Sequence, residues 1–96
     1  MQEIFDIAIM AYRAGRYNDA VGLFRQLLEQ KPESDLGLFY LSLAQQKAGS
    51  RFAAFRSLKH LIKKSGDEDV VLRAKAALQA LQEEHVRRHF FKIAAQ

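Results

Sequence analysis

The sequence contains no cysteine and only one proline, and it has no long run of apolar residues. Without cysteine the chain forms no disulfide and no thiolate metal site, which is typical of a protein in a reducing compartment. The first six residues carry no lysine or arginine, so they lack the basic start of a signal peptide. The longest mainly apolar stretch, Leu36 to Leu43, is far shorter than the roughly 20 residues that span a bilayer. These features predict a cytoplasmic protein that does not cross a membrane.

Motifs for catalysis and for cofactor binding are also missing from the sequence. The five glycines are isolated, and none belongs to a phosphate-binding loop, a dinucleotide-binding turn or a nucleophile elbow. His85 and His89 lie one helical turn apart, but Val86 stands where the helical zinc-protease pattern requires a glutamate. We therefore expect no enzymatic activity, no metal site and no cofactor.

The net charge of +4 is concentrated in one part of the chain. Residues 35–66 hold six lysines and arginines against a single acid, whereas the segments on either side are close to neutral. Arg56, Lys59, His60 and Lys63 recur at helical spacing and form what we call the basic stripe. With no aromatic side chain interleaved for base stacking, the stripe predicts an exposed helix face. Binding of nucleic acid or of an acidic partner to this stripe is the least favoured function.

The sequence repeats itself after 34 residues. This shift pairs side chains of the same size and polarity: Ile4 with Leu38, Phe5 with Phe39, Ile7 with Leu41, Gly15 with Gly49, Ala20 with Ala54 and Phe24 with Leu58. Each unit predicts two helices, because apolar residues recur at three and four and each glycine follows a periodic segment. Asn18, Ser50 and Asp67 are the predicted N-terminal caps of three helices, and Ser34 or Asp35 of a fourth. Residues 70–94 contain no proline or glycine and predict one long helix.

The first unit resembles the tetratricopeptide repeat (TPR) family. The residues that carry the resemblance are the stretch Ala11–Ala20, Leu23, Phe24, Leu27 and Pro32, together with the small residue Ala8. The second unit is degenerate, with Arg51 in place of the aromatic residue and Gly66 in place of the proline. The resemblance implies an all-α protein, an α-α superhelix of about five antiparallel helices. Residues 1–34 and 35–66 are the two hairpins and residues 67–96 a long terminal helix, all within one domain.

In this family the first helix of each repeat lines a concave surface that receives a peptide or a helix of another protein. The resemblance and a second apolar stripe on each of these helices predict the same partner-binding residues: Phe5, Ile9, Tyr12, Arg13, Phe39, Tyr40, Leu43 and Lys47. This stripe differs from the one formed by Ile4, Ile7 and Ala8, which is predicted to face the core. Two alternatives are that the chain's own last helix covers the second stripe, or that a homodimer does. The family's carboxylate clamp is not expected, since its asparagine positions hold Ile9 and Leu43.

The last residues form another apolar group. Val86, Phe90 and Ile93 recur at helical spacing, with Phe91 beside them. This segment either folds back onto the molecule or projects as a helix that pairs with a second copy through a twofold axis. Self-association through Val86, Phe90, Phe91 and Ile93 is therefore the alternative to a protein-binding adaptor.

Overall fold

A computed structural model describes residues 2–94, apart from the side chain of residue 2, and shows five α-helices. They are α1 (Gln2–Arg13), α2 (Tyr17–Gln30), α3 (Asp35–Lys47), α4 (Arg51–Lys64) and α5 (Glu68–Ala94). Each helix packs against the next one along the chain, and α5 also contacts α3. The described residues contain no β-strand. The chain is thus an all-α helical-repeat solenoid, as the sequence predicts, with two hairpins followed by one long helix.

The two hairpins turn in the same way. The Gly15 amide donates to the Tyr12 carbonyl at 3.1 Å, and the Arg16 amide donates to the Ala11 carbonyl at 2.9 Å. This pair of bonds is a Schellman motif, which needs a left-handed residue, and Gly15 has φ of 81°. Gly49 has φ of 90° and is followed by the same two bonds. The prediction of a glycine cap at both positions is confirmed.

The predicted N-terminal caps are confirmed in part. The Ser34 hydroxyl accepts from the Gly37 amide at 3.0 Å, and the Asp67 carboxylate accepts from the Asp69 amide at 3.0 Å. The prediction for Asn18 is wrong, because α2 already begins at Tyr17. Ser50 directly precedes α4, but its side chain makes no capping hydrogen bond. At both hairpin turns the Schellman motif leaves a single residue between the glycine and the next helix.

The core runs along the solenoid where successive helices meet. Its buried apolar members are Ala8, Ala20, Phe24, Leu27, Leu38, Leu41, Ala44, Ala54, Leu58, Leu61, Ala74 and Leu81. Small residues where helices cross let the backbones approach closely, and Gly37 is the tightest case, since a Cβ added there would lie 3.1 Å from Leu27 Cδ2. The prediction that Ile7 faces the core is wrong, because Ile7 is exposed.

Polar contacts fix the ends of the second hairpin. The Ser65 hydroxyl donates to the Asp35 carboxylate at 2.7 Å, and the Lys64 ammonium donates to the other carboxylate oxygen at 2.9 Å. The Ser57 hydroxyl donates to the buried Gln45 side chain at 2.8 Å. These bonds tie the start of α3 to the end of α4, and the middle of α4 to α3.

The contacts of Asp35 predict a stability that depends on pH. The hydrogen bond from Ser65, and then the one from Lys64, lower the pKa of Asp35 below its ordinary value. A lowered carboxyl pKa stabilises the fold above the ordinary value of about 4, and this stabilisation is lost as the pH falls. We expect Asp35→Asn to reduce the free energy of unfolding by about 1 kcal/mol at neutral pH. Urea unfolding at several pH values checks this; a difference between the two proteins that stays constant below pH 4 would contradict it.

Candidate functional site

An aromatic cluster occupies the face shared by α1 and α3. Tyr40 lies at its centre, with ring centroids 5.9 Å from Phe5, 6.4 Å from Tyr12 and 5.8 Å from Phe39, all edge to face. Its ring also stacks on the buried Phe24 of α2 at 6.0 Å. Edge-to-face and stacked aromatic pairs stabilise their arrangement beyond simple burial. The cluster therefore holds these rings in fixed orientations on one face of the solenoid, which we call the concave face.

The predicted partner-binding residues continue this face along α1 and α3: Ile9 and Leu43 follow Phe5 and Phe39 by one helical turn, and Arg13 and Lys47 follow them by one more. The six apolar ones, Phe5, Ile9, Tyr12, Phe39, Tyr40 and Leu43, are all half-buried, whereas Arg13 and Lys47 are exposed. Five of the six pack against the core, and Leu43 alone lies outside that set. The concave face thus presents the edges of side chains that also support the fold. Leu43 is the residue whose change disturbs the core least.

Tyr12 stays a neutral phenol. Burial raises its pKa, and the nearby Tyr17 and Tyr40 raise it further. The Tyr12 and Tyr17 rings are 5.6 Å apart, so the turn of the first hairpin adds Tyr17 to the edge of the aromatic cluster. A neutral tyrosine at the rim of an apolar face offers a hydrogen-bond donor to a bound chain.

Helix α5 adds residues to the concave face that were not predicted from the sequence. A shallow recess between α3 and α5 is lined by Leu36, Phe39, Asp67, Asp69, Val70 and Arg73. The Gln46 side chain donates to Glu84 at 3.4 Å, so α5 runs beside the end of α3. The internal repeat could have indicated that Arg73 lies on this face, because the 34-residue shift aligns Arg73 with Phe39. Although α5 covers one side of α3 here, Phe39, Tyr40 and Leu43 remain half-exposed.

The last part of α5 leaves the body of the molecule. Leu81 is buried, but every residue from His85 to Ala94 is exposed, and we call this stretch the projecting segment. It carries all four residues of the predicted self-association group: Val86, Phe90, Phe91 and Ile93. The helix is continuous through Ala94, so the segment projects and does not fold back.

Comparison with protein families identifies the first hairpin. A family model described as tetratricopeptide repeat matches residues 4–34. The chain contains a tetratricopeptide repeat. The match covers the first hairpin with its glycine cap, the small residues Ala8 and Ala20, and the buried Phe24. Comparison with curated proteins and with solved structures gives no match.

The matched family has a general role. TPR units generally mediate contacts between proteins and are typically modules without catalytic activity. In the TPR of residues 4–34, α1 contributes Phe5, Ile9 and Tyr12 to the concave face. The second hairpin repeats the TPR turn geometry at Gly49, although the match ends before it. Its assignment as a degenerate repeat stays a prediction.

The basic stripe lies on α4, the second helix of the second hairpin, and the prediction that no aromatic side chain lies among its bases is wrong. Aromatic rings do lie among its bases: the Arg56 guanidinium is 5.4 Å from the centre of the Phe52 ring, and the Lys59 ammonium is 5.5 Å from that of Phe55. Side chains three or four residues apart on a helix contact each other, and the residues of each of these two pairs are four positions apart. Phe52 is exposed, so the pair it forms with Arg56 lies at the surface.

Two further features of the described residues bear on other functions. The His85 and His89 rings are stacked 6.5 Å apart, and residues 2–94 contain no group of three or more potential metal ligands. Among these helices none is both long enough and apolar enough to cross a membrane.

Proposed function

We propose that this TPR protein is an adaptor that binds an apolar segment of another protein, extended or helical, on the concave face. The observation that supports this is the aromatic cluster around Tyr40. Four of its rings belong to α1 and α3, and each keeps part of its surface open to solvent on the same face. An apolar face with fixed rings gives a partner large contacts at a small cost in conformational entropy.

Two exposed cations limit the chemistry of the partner. Arg13 ends α1 and Lys47 ends α3, and both positions correspond in the repeat. They lie at the same end of the concave face, while its centre is apolar. A partner that fits this arrangement carries an apolar stretch followed by an acidic group, and the acid sets the direction in which the stretch lies.

A substitution at Leu43 tests the proposal. We expect Leu43→Glu to abolish binding of peptides selected from a random display library against the wild-type chain. The reason is that a carboxylate in the apolar face loses its hydration when a peptide covers it, and that it pairs with Lys47, one helical turn away, in place of the acidic group of the peptide. Fluorescence anisotropy of the labelled peptides measures binding, and circular dichroism checks that helicity is retained.

Phe52→Glu is the matched control, because it also places a glutamate at an apolar position but on the outer surface of α4. Selected peptides should be apolar and should bind this variant as they bind the wild type. Failure to select any binder, or equal binding to Leu43→Glu, overturns the concave-face proposal. The cytoplasmic location and self-association through the projecting segment stay predictions.

A further inference from the structure

One edge of α1 is a helix-packing surface that has no helix on it among the described residues. This leading edge consists of Glu3, Ile7, Met10 and Ala14, which follow one another at three and four along the helix. Ile7 is 51% exposed and Met10 is 68% exposed. Large apolar side chains at adjacent turns of one helix form a patch that is costly to leave in water.

The repeat shows what normally covers such an edge. The shift of 34 residues places the leading edge on Gly37, Leu41, Ala44 and Ala48 of α3. There Leu41 is 6% exposed and Ala44 is 0% exposed, because this side of α3 packs against α2 of the preceding hairpin. The contact is close enough that a Cβ on Gly37 would meet Leu27 of α2. The same edge of α1 is thus shaped to receive a preceding helix.

The projecting segment has an apolar line that its own molecule cannot cover. In the body of α5, Ala74 and Leu81 are buried toward α4 and α3, and the same line continues seven residues later to Arg88, which is exposed. Val86, Phe90 and Ile93 lie on the opposite side of the helix, given 3.6 residues per turn. The apolar side of α5 therefore switches after Leu81. While the helix is continuous, this new apolar line points away from the solenoid.

The charges at one end of these two surfaces favour one orientation. Along α1, Glu3 comes first and Arg13 comes last. At the end of α5, Glu83 lies on the same side of the helix as Phe90, whereas Lys92 lies on the side of Arg88. An antiparallel pair brings Glu83 near the level of Arg13, whereas a parallel pair brings it near the level of Glu3.

The antiparallel pair also matches apolar residues. Placing Ile7 at the level of Phe90 brings Met10 within about one residue of the level of Val86, since both helices have the same rise per residue. The same register brings Arg13 within about one residue of the level of Glu83. Neighbouring helices of the solenoid are already joined by short turns and packed side by side, so this pairing extends the existing pattern of packing.

We propose that copies of this chain associate head to tail, with the projecting segment of one copy packed antiparallel on the leading edge of the next. This contact is heterologous, because each copy contributes two different surfaces and keeps one of each free for a further copy. It differs from the twofold pairing of two projecting segments predicted from the sequence. Twofold pairing leaves Ile7 and Met10 uncovered. The apolar residues of the leading edge lie on the other side of α1 from Phe5, Ile9 and Tyr12. The proposal therefore shares only Arg13 with the concave face, and its test changes no residue of that face.

Two blocked variants and their mixture test the proposal. The head-blocked variant carries Ile7→Lys and Met10→Lys, which place two ammonium groups in the apolar contact with Phe90 and Val86. The tail-blocked variant carries Val86→Glu and Phe90→Glu, which place two carboxylates in the apolar contact with Met10 and Ile7. Mass is measured by sedimentation equilibrium over a wide range of concentrations, at low and at high salt. We expect the wild type to grow beyond two chains as concentration rises, and to grow less at high salt.

The mixture distinguishes this arrangement from the others. Each blocked variant alone is expected to remain a single chain, and an equimolar mixture is expected to form a complex of two chains that grows no further. A head-blocked variant that still forms dimers supports twofold pairing and overturns the proposal, as does a wild type that stays a single chain at every concentration. All four changed residues are exposed, and circular dichroism with thermal unfolding checks each variant. If the double head variant unfolds, Met10→Lys alone replaces it.

Discussion

We expect Phe24→Ala to lower the free energy of unfolding by about 3–5 kcal/mol, the largest single loss among the substitutions considered. Phe24 is 0% exposed and joins three helices, with its ring stacked on Tyr40 of α3 and edge-on to Phe5 of α1 at 6.1 Å. Alanine removes the ring, leaves a cavity between the hairpins, and releases both aromatic partners. Domains of this size have total stabilities of roughly 5–15 kcal/mol, so the variant is close to unfolding. Urea unfolding followed by circular dichroism measures the loss.

Phe52→Ala is the matched control for this prediction. The two substitutions delete the same ring, but Phe52 is 74% exposed and contacts only the surface side chain of Arg56 among the aromatic and cationic pairs described. Its loss should cost at most about 1 kcal/mol, which is the size of an exposed cation–π contact. Similar losses for both variants would mean that the aromatic cluster does not join the two hairpins.

Loss of Phe24 also separates stability from binding. The cavity lies behind Tyr40, so the ring that centres the concave face loses its support when Phe24 is removed. We expect peptide binding by Phe24→Ala to weaken even at temperatures where the variant is folded. In contrast, Leu43→Glu should change binding and leave stability nearly unchanged, because Leu43 does not pack against the core.

The local features of the fold could be predicted from the sequence because they depend on nearby residues. Gly15 and Gly49 each follow a segment with apolar periodicity. A helix often ends with a residue in the left-handed conformation, and glycine is the residue that adopts it most readily, so both positions could be predicted as helix ends. The internal repeat then predicts that the second hairpin has the same structure as the first, since residues 34 positions apart bury the same helix face. Ser34 and Asp67 were recognised for a similar reason, as short polar side chains that satisfy the free amides of a helix start.

Features that depend on the packing between helices could not be predicted from nearby residues. Ile7 was assigned to the core because periodicity shows an apolar face, but periodicity does not show whether another helix covers that face. Arg73 was missed because its place at the concave face depends on how α5 crosses α3. The contacts of Phe52 and Phe55 with bases of the stripe were not predicted, although side chains four apart on a helix are neighbours.

At the end of α5, one feature could be predicted from the sequence and another could not. The change in pattern after Leu81 was visible in the sequence, and it correctly separated the body of the helix from its last residues. The direction of the new apolar line relative to the solenoid required the structure, because the buried side of α5 is defined by α3 and α4. Because the line of Val86, Phe90 and Ile93 points away from the solenoid, the same chain cannot cover it, and only a second molecule can.

A substitution within the body of α5 tests whether this helix closes the solenoid as described. We expect Ala74→Leu to lower the free energy of unfolding by about 1–3 kcal/mol, since extra methyl groups in a filled core force side chains or backbone to move. Ala74 is completely buried in α5, the helix that packs on α4 and α3, and its small size sets how closely these helices approach.

Ala80→Leu is the control, because it lies on the same helix, makes the same change and is exposed. Its effect should stay within about 0.5 kcal/mol. Thermal unfolding of both variants checks the prediction at concentrations low enough to keep the chains separate. If Ala74→Leu were neutral, α5 would not be packed on α4 and α3 as described. The projecting segment would then lose its fixed direction, and the head-to-tail contact would lose its geometric basis.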